Sequence, residues 1–161
     1  DASHGCCKKT AKSRTGFVLF YSHSPICWRS SRQTVVAQST RDAEYIAASD
    51  CSRDIIFIRE FLQEMHQHSK LDFDLGPTPL HCDCQPALDT IFKDGFSSKS
   101  KSIRLSYHNL RDLYQKHEID PVKIPTEDNI ADIMTKPIPQ QQTLKHCSKL
   151  FTKCVPQKLS S

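Results

Sequence analysis

Residues 39–65 read S-T-R-D-A-E-Y-I-A-A-S-D-C-S-R-D-I-I-F-I-R-E-F-L-Q-E-M, and within them Ala48, Cys51, Ile55, Ile58, Leu62 and Met65 recur at alternating spacings of three and four. That period is α-helical, so these residues form an apolar stripe facing a core. Ser39 stands three residues ahead of Asp42 in a capping-box-like start, and the spacing predicts a helix from there to about Met65. Glu44 is the next position back along the stripe. A carboxylate on a buried helix face is costly unless it is paired or holds a cation, which makes Glu44 a candidate functional residue.

Upstream of the helix, G-F-V-L-F-Y at 16–21 is rich in β-formers and bounded by polar residues, the pattern of a buried strand. Pro25–Arg29 and Thr34–Ala37 are expected to follow as short strands around the polar turn 30–33, giving an antiparallel meander. Downstream, beyond a polar linker at 66–77, Thr78–Cys82 predicts a strand that delivers Asp83 at its C-terminal end, where ligands gather in α/β folds. Helices are expected from Gln85 to about Lys93 and from about Ile103 to Gln115, followed by a strand over Pro121–Ile124. Thr126 can cap a closing helix, with Glu127 and Asp128 in its first turn and Asp132 inside it among Ile130, Ala131, Ile133 and Met134. This order predicts an α/β fold, a mixed sheet with helices packed on it, and points to the ribonuclease H-like architecture.

At 161 residues and 37% hydrophobic content, the chain suits one domain with one core, expected over 1–139, with 140–161 as a fraying tail. A net charge of +4 permits a polyanionic partner without demanding one. Charge is more informative locally: 95–111 holds no acid but carries Lys99, Lys101, Arg104 and Arg111, a strip that suits either phosphate contacts or a solvated helix face. No apolar run approaches the roughly 20 residues that span a bilayer, so no membrane partner is expected. The eight cysteines are expected to be reduced, in an intracellular setting. Cys82 and Cys84 lie in a C-x-C spacing rather than the C-x-x-C of zinc knuckles. Trp28, the sole tryptophan, is assigned to the core or its edge. The start at Asp1 reads as a cut piece of a longer polypeptide.

The segments D-A-S at Asp1, S-R-T-G-F-V at Ser13, S-T-R-D-A-E-Y-I-A at Ser39, H-C-D-C-Q-P-A-L at His81, Y-H-N-L-R at Tyr107 and A-D-I-M-T-K-P at Ala131 occur in that order. Together they resemble the ribonuclease H domain that ends the Pol polyprotein of copia-type LTR retrotransposons, C-terminal to the reverse transcriptase. The resemblance runs from Asp1 to about Pro139. It implies a five-stranded mixed sheet with helices on both faces, its first strand truncated here. It also implies an endonuclease that cuts the RNA strand of RNA–DNA hybrids, partnered with the reverse transcriptase domain of the same polyprotein, in a cytoplasmic retrotransposon particle or the nucleus.

By the same resemblance, Asp1, Glu44, Asp83 and Asp132 occupy four acidic positions of a site for two Mg2+ ions, with Mn2+ as the alternative. Asp1 and Asp83 would be central ligands, Glu44 would serve the leaving-group side and Asp132 the attacking water. Two hard cations about 3.5–4 Å apart can activate a water and stabilise the leaving oxygen of a phosphodiester, and they favour oxygen ligands. Ser39, Thr40, Gln85, Lys99, Lys101 and Arg104 are the expected nucleic-acid contacts. The free ammonium of residue 1 is expected to compete with metal for the acids, leaving this chain weak or inactive. The rival expectation is a noncatalytic module that positions the hybrid for a polymerase.

Overall fold

A computed structural model describes residues 1–68, 75–92 and 101–151, the side chains of 101–107 excepted. Strands β1 (Ala2–Ser3), β2 (Arg14–Tyr21) and β3 (Ser24–Arg32) form an antiparallel sheet in that order, and β4 (Thr78–Cys82) and β5 (Ile119–Lys123) form a parallel pair. The helices are α1 (Thr40–His68), α2 (Gln85–Phe92), α3 (Lys101–Gln115), α4 (Asp132–Thr135) and α5 (Gln140–Leu150), with a 3-10 turn at Thr126–Asp128. Among the described residues no helix is long and apolar enough to cross a membrane, and the seven described cysteines are free thiols.

Helix α1 starts where its cap dictates. The Ser39 hydroxyl accepts from Asp42 N at 3.1 Å, and the Ser39 carbonyl accepts from Ala43 N at 3.0 Å. Tyr45, Cys51 and Ile55 carry its stripe into a core shared with Phe17, Leu80, Leu88, Leu110 and Ile119, while Met65, at the far end, is exposed. Arg59, also buried on α1, donates to Glu118 Oε2 at 2.7 Å, to the Gly76 carbonyl at 2.7 Å and to the Leu75 carbonyl at 3.1 Å. It thereby ties α1 to the chain entering β4.

The two faces of β2 do different work because its side chains alternate. Thr15 and Phe17 face α1, where Thr15 Oγ1 donates to Asp50 Oδ2 at 3.3 Å. Gly16 faces the other way and receives α4, so the three-stranded sheet has helix on both faces. Hairpin β2–β3 turns through Ser22 and His23, whose φ values of 45° and 65° are those of a two-residue primed turn.

The structure departs from the expected single five-stranded sheet: the strands fall into a three-stranded and a two-stranded sheet. The element that would join them is β1, and its two residues pair only with Thr15 and Arg14 of β2. The polar run 30–32 is strand rather than turn, because it pairs with Gly16, Thr15 and Arg14 on an edge strand that tolerates polar side chains. Thr34–Ala37 lies outside any strand. Trp28 sits on that same edge strand, 63% exposed, and takes no part in the core. Residues 140–150, expected to fray, form α5, which buries His146 and Leu150 and pairs Lys145 and Lys149 with Asp128 at 2.9 and 3.2 Å.

Candidate metal centre

Four elements deliver the four acids. Asp1 is set by the sheet: its ammonium donates to the Gly16 carbonyl at 3.0 Å, and its own carbonyl accepts from Gly16 N at 2.9 Å. Glu44 lies in the first turns of α1, and Asp83 follows β4 directly. Asp132 opens α4, which rests on β2 at Gly16; a Cβ there would lie 2.5 Å from Thr135 Cγ2 and 2.8 Å from Met134 Cβ. Glycine permits that approach, so it sets the depth of Asp132.

These placements converge. Ligand atoms of Asp1, Asp83 and Asp132 lie within 4.8 Å of one another, as do those of Glu44, Cys82 and Asp83, and Asp83 belongs to both groups. Neutral donors orient two of the acids: the Thr135 hydroxyl donates to Asp1 Oδ2, and Asn129 Nδ2 donates to Asp83 Oδ1 at 3.2 Å. Lys136, one helical turn after Asp132, holds its ammonium 3.0 Å from Asp132 Oδ1 and 3.9 Å from Asp1 Oδ1.

Glu44 is the least compensated member. It is 5% exposed, its Oε2 has no hydrogen-bond partner, and the Asp1 ammonium stands 4.0 Å away. Burial pushes its carboxyl above the ordinary range; the Asp1 ammonium and an Ala2 backbone bond oppose the shift, and Asp83 adds to it. The Cys82 thiol beside it is pushed up to about 11 by burial and stays protonated at neutral pH. Carboxylate oxygens make up most of the donor set, and two of them, Glu44 Oε2 and Asp132 Oδ1, are buried without a hydrogen-bond partner, a set that fits a hard divalent cation such as Mg2+.

Other expected contacts are arranged differently. The Ser39 hydroxyl is used as the α1 cap, Thr40 is exposed, and the Gln85 amide donates to Asp89 Oδ1 at 2.8 Å. Lys101 and Arg104 fall in the stretch of α3, 101–107, whose side chains are outside the described ones, and Lys99 lies outside the described residues. Sequence reasoning passed over Gly16, Asn129, Thr135 and Lys136. For Lys136 a signal existed, since it follows Asp132 at the helical spacing of four; for the others the contacts are long-range and leave no local pattern.

Over 131 residues, 81% of its length, the chain is 34% identical to the Retrovirus-related Pol polyprotein from transposon TNT 1-94 of Nicotiana tabacum, covering 9% of that protein. It is 28% identical over 156 residues to the corresponding polyprotein from transposon RE1 of Arabidopsis thaliana, and 32% identical over 127 residues to that from transposon RE2 of the same plant, covering 10% and 8% of them. The chain is thus homologous to a segment of plant retrotransposon Pol polyproteins, and it spans about a tenth of their length. No family model and no solved structure matches it.

Proposed function

We propose that this chain is the ribonuclease H segment of a retrotransposon Pol polyprotein, hydrolysing the RNA strand of RNA–DNA hybrids beside the reverse transcriptase domain in a cytoplasmic particle. The observation that carries the reading is the convergence of Asp1, Glu44, Asp83 and Asp132 from four elements onto one site in which Asp83 is common to two ligand groups. Homology to Pol polyproteins supports the setting.

When bound, divalent cations would supply an activated water and stabilise the leaving oxygen. The four carboxylates would hold those ions, with Asp83 bridging between the two groups. The Thr135 hydroxyl and the Asn129 amide fix the rotamers of Asp1 and Asp83, so their oxygens are presented without reorganisation. Lys136 offsets part of the charge of Asp132 and Asp1. Four carboxylates against two ammonium groups would leave the pocket net negative and repel a phosphodiester, which ties substrate engagement here to the cation.

Asp83→Asn tests the assignment. It should abolish Mg2+-dependent cleavage of a hybrid duplex while hybrid binding persists. If the parent chain cleaves no hybrid, even when extended upstream, yet binds it, the noncatalytic module is the correct description.

A further inference from the structure

Helix α1 carries a row of large apolar side chains on the side away from the core. Phe57, Phe61 and Met65 follow one another at a spacing of four and are 70%, 54% and 52% exposed. Ile55 and Arg59, each about half a turn round the helix from Phe57, are buried, so the row lies opposite the buried face. The solvent side of a helix is ordinarily charged or polar, and a contiguous apolar patch there marks a contact surface.

The charges beside the row are arranged to complement themselves. Arg53 continues the row one turn toward the N-terminus of α1, where it pairs with Asp50. Glu60 and Glu64 lie along its C-terminal half, both exposed, and among the described residues neither side chain takes part in a hydrogen bond or ion pair. Asp54, on the other side of the row, is already paired with Arg29 at 2.9 Å. A two-fold axis crossing α1 at the level of Arg59 sets Phe57 of one copy level with Phe61 of the other. It also brings Arg53 of one copy within one residue, about 1.5 Å of rise, of Glu64 in the other. The operation is symmetric, so both ends match at once. A parallel pairing would instead set Arg53 level with Arg53 and Glu64 level with Glu64.

We propose that this row is the contact surface for a second copy of the chain, two α1 helices packing antiparallel about a two-fold axis near Arg59. The Phe57 and Phe61 rings of the two copies form its centre, and an Arg53–Glu64 pair closes each end. At ~200 Å² for a whole side chain of this size, the three exposures leave ~350 Å² per copy and ~700 Å² across the pair. The polar flanks bring the total toward the roughly 1,200 Å² at which standard interfaces begin, which sets a weak dimer that forms as concentration rises. Glu44 stands 15 positions before Arg59 on each helix. The two acidic sites are therefore about 45 Å apart along the paired helices, and pairing covers neither.

The test is sedimentation velocity of the full chain at low salt, over concentrations from about 1 µM to 1 mM, the range of weak complexes. The parent should pass from monomer to dimer. Phe57→Ser should stay monomeric throughout while keeping its thermal midpoint, because the side chain it removes is exposed. Arg53→Glu and Glu64→Arg each set like charges at both ends of a self-pair, and each should weaken association by about tenfold or more. Mixed in equal amounts, the same two variants set opposite charges at both ends and should associate at least as tightly as the parent. A parent that stays monomeric overturns the proposal, as do dimers that Phe57→Ser leaves intact. A mixture no tighter than its components overturns the antiparallel register, and species larger than dimers overturn the two-fold axis. A row that is instead covered by an added reverse transcriptase segment, the parent alone being monomeric, overturns the proposal in favour of that partner. None of these readouts depends on hybrid cleavage, so failure here is distinguishable from failure of the nuclease reading.

Discussion

Gly16→Ala should damage the acidic site from a distance without touching an acid. The added methyl would meet Thr135 Cγ2 at 2.5 Å, Met134 Cβ at 2.8 Å and the Ala131 carbonyl oxygen at 3.1 Å, where ordinary contact begins near 3.4 Å. None of the three gives way cheaply. Ala131 O is backbone, Met134 Cβ is fixed to it, and the Thr135 side chain is held by its hydroxyl bond to Asp1. Relief therefore requires α4 to lift by about 0.9 Å, the difference between the first contact and the ordinary limit, carrying Asp132 with it. Overpacking of this kind costs about 1–3 kcal/mol, and a displacement of about 1 Å at a catalytic group costs on the order of 100-fold in rate. The assays are urea unfolding and hybrid cleavage, with Gly76→Ala as the control because nothing lies within 4 Å of a Cβ there. Should Gly16→Ala prove no more destabilising than Gly76→Ala, α4 is not seated on β2 as described, and the account of how Asp132 is placed is wrong.

His146 and Lys136 give two further tests. His146 is fully buried in α5 with neither ring nitrogen bonded; burial lowers its pKa, Lys149 and Lys145 act in the same direction, and Asp132 and Asp128 oppose. The unfolded chain binds this proton more readily, so stability present above the ordinary histidine pKa of about 6.5 drains away as pH falls below it. His146→Leu should flatten the fall in thermal midpoint as pH drops below about 6.5; an unaltered slope would exonerate this residue. Lys136→Met removes the ammonium beside Asp132 and Asp1, and should lower stability on the order of 1 kcal/mol without divalent ions, the group being partly exposed. The variant should then show a larger Mg2+-induced rise in thermal midpoint than the parent, and an equal rise would mean that Lys136 and the cation do not share a site.

How much was legible in the sequence depended on whether the signal was local. Helix α1 and strand β4 announce themselves through period and boundary residues, and both lie where the pattern puts them, α1 running three residues past Met65 and β4 matching Thr78–Cys82. The polar run at 30–32 misled because its strand character comes from its partners on β2, which no property of Ser30, Ser31 or Arg32 reveals. Helix α5 was hidden for a related reason: one of its buried residues is a histidine, and Leu144, the apolar residue its sequence advertises, is exposed. At the site, the acids stood out because carboxylates interrupt apolar patterns. Gly16 and Asn129 did not, since a glycine in a strand and an asparagine near a turn have ordinary local explanations, and their roles come from residues more than 40 positions away.

The distribution of positive charge inside the cluster bears on what the site is for. Lys136 reaches Asp132 and Asp1, and the Thr135 and Asn129 donors serve Asp1 and Asp83, so three of the four acids are stabilised by the protein itself. Glu44 has one Ala2 backbone bond and an ammonium at 4.0 Å, but its other oxygen is buried and unbonded, and burial raises its pKa. A purely structural acid in that position would be a poorly compensated cost, because an isoleucine or leucine would continue the α1 stripe and pack against the same core. A cation shared with Asp83 would supply the missing compensation. It would favour the carboxylate of Glu44 and make a costly residue a ligand, which is the physical reason for reading the cluster as a metal site rather than as a salt-bridge network.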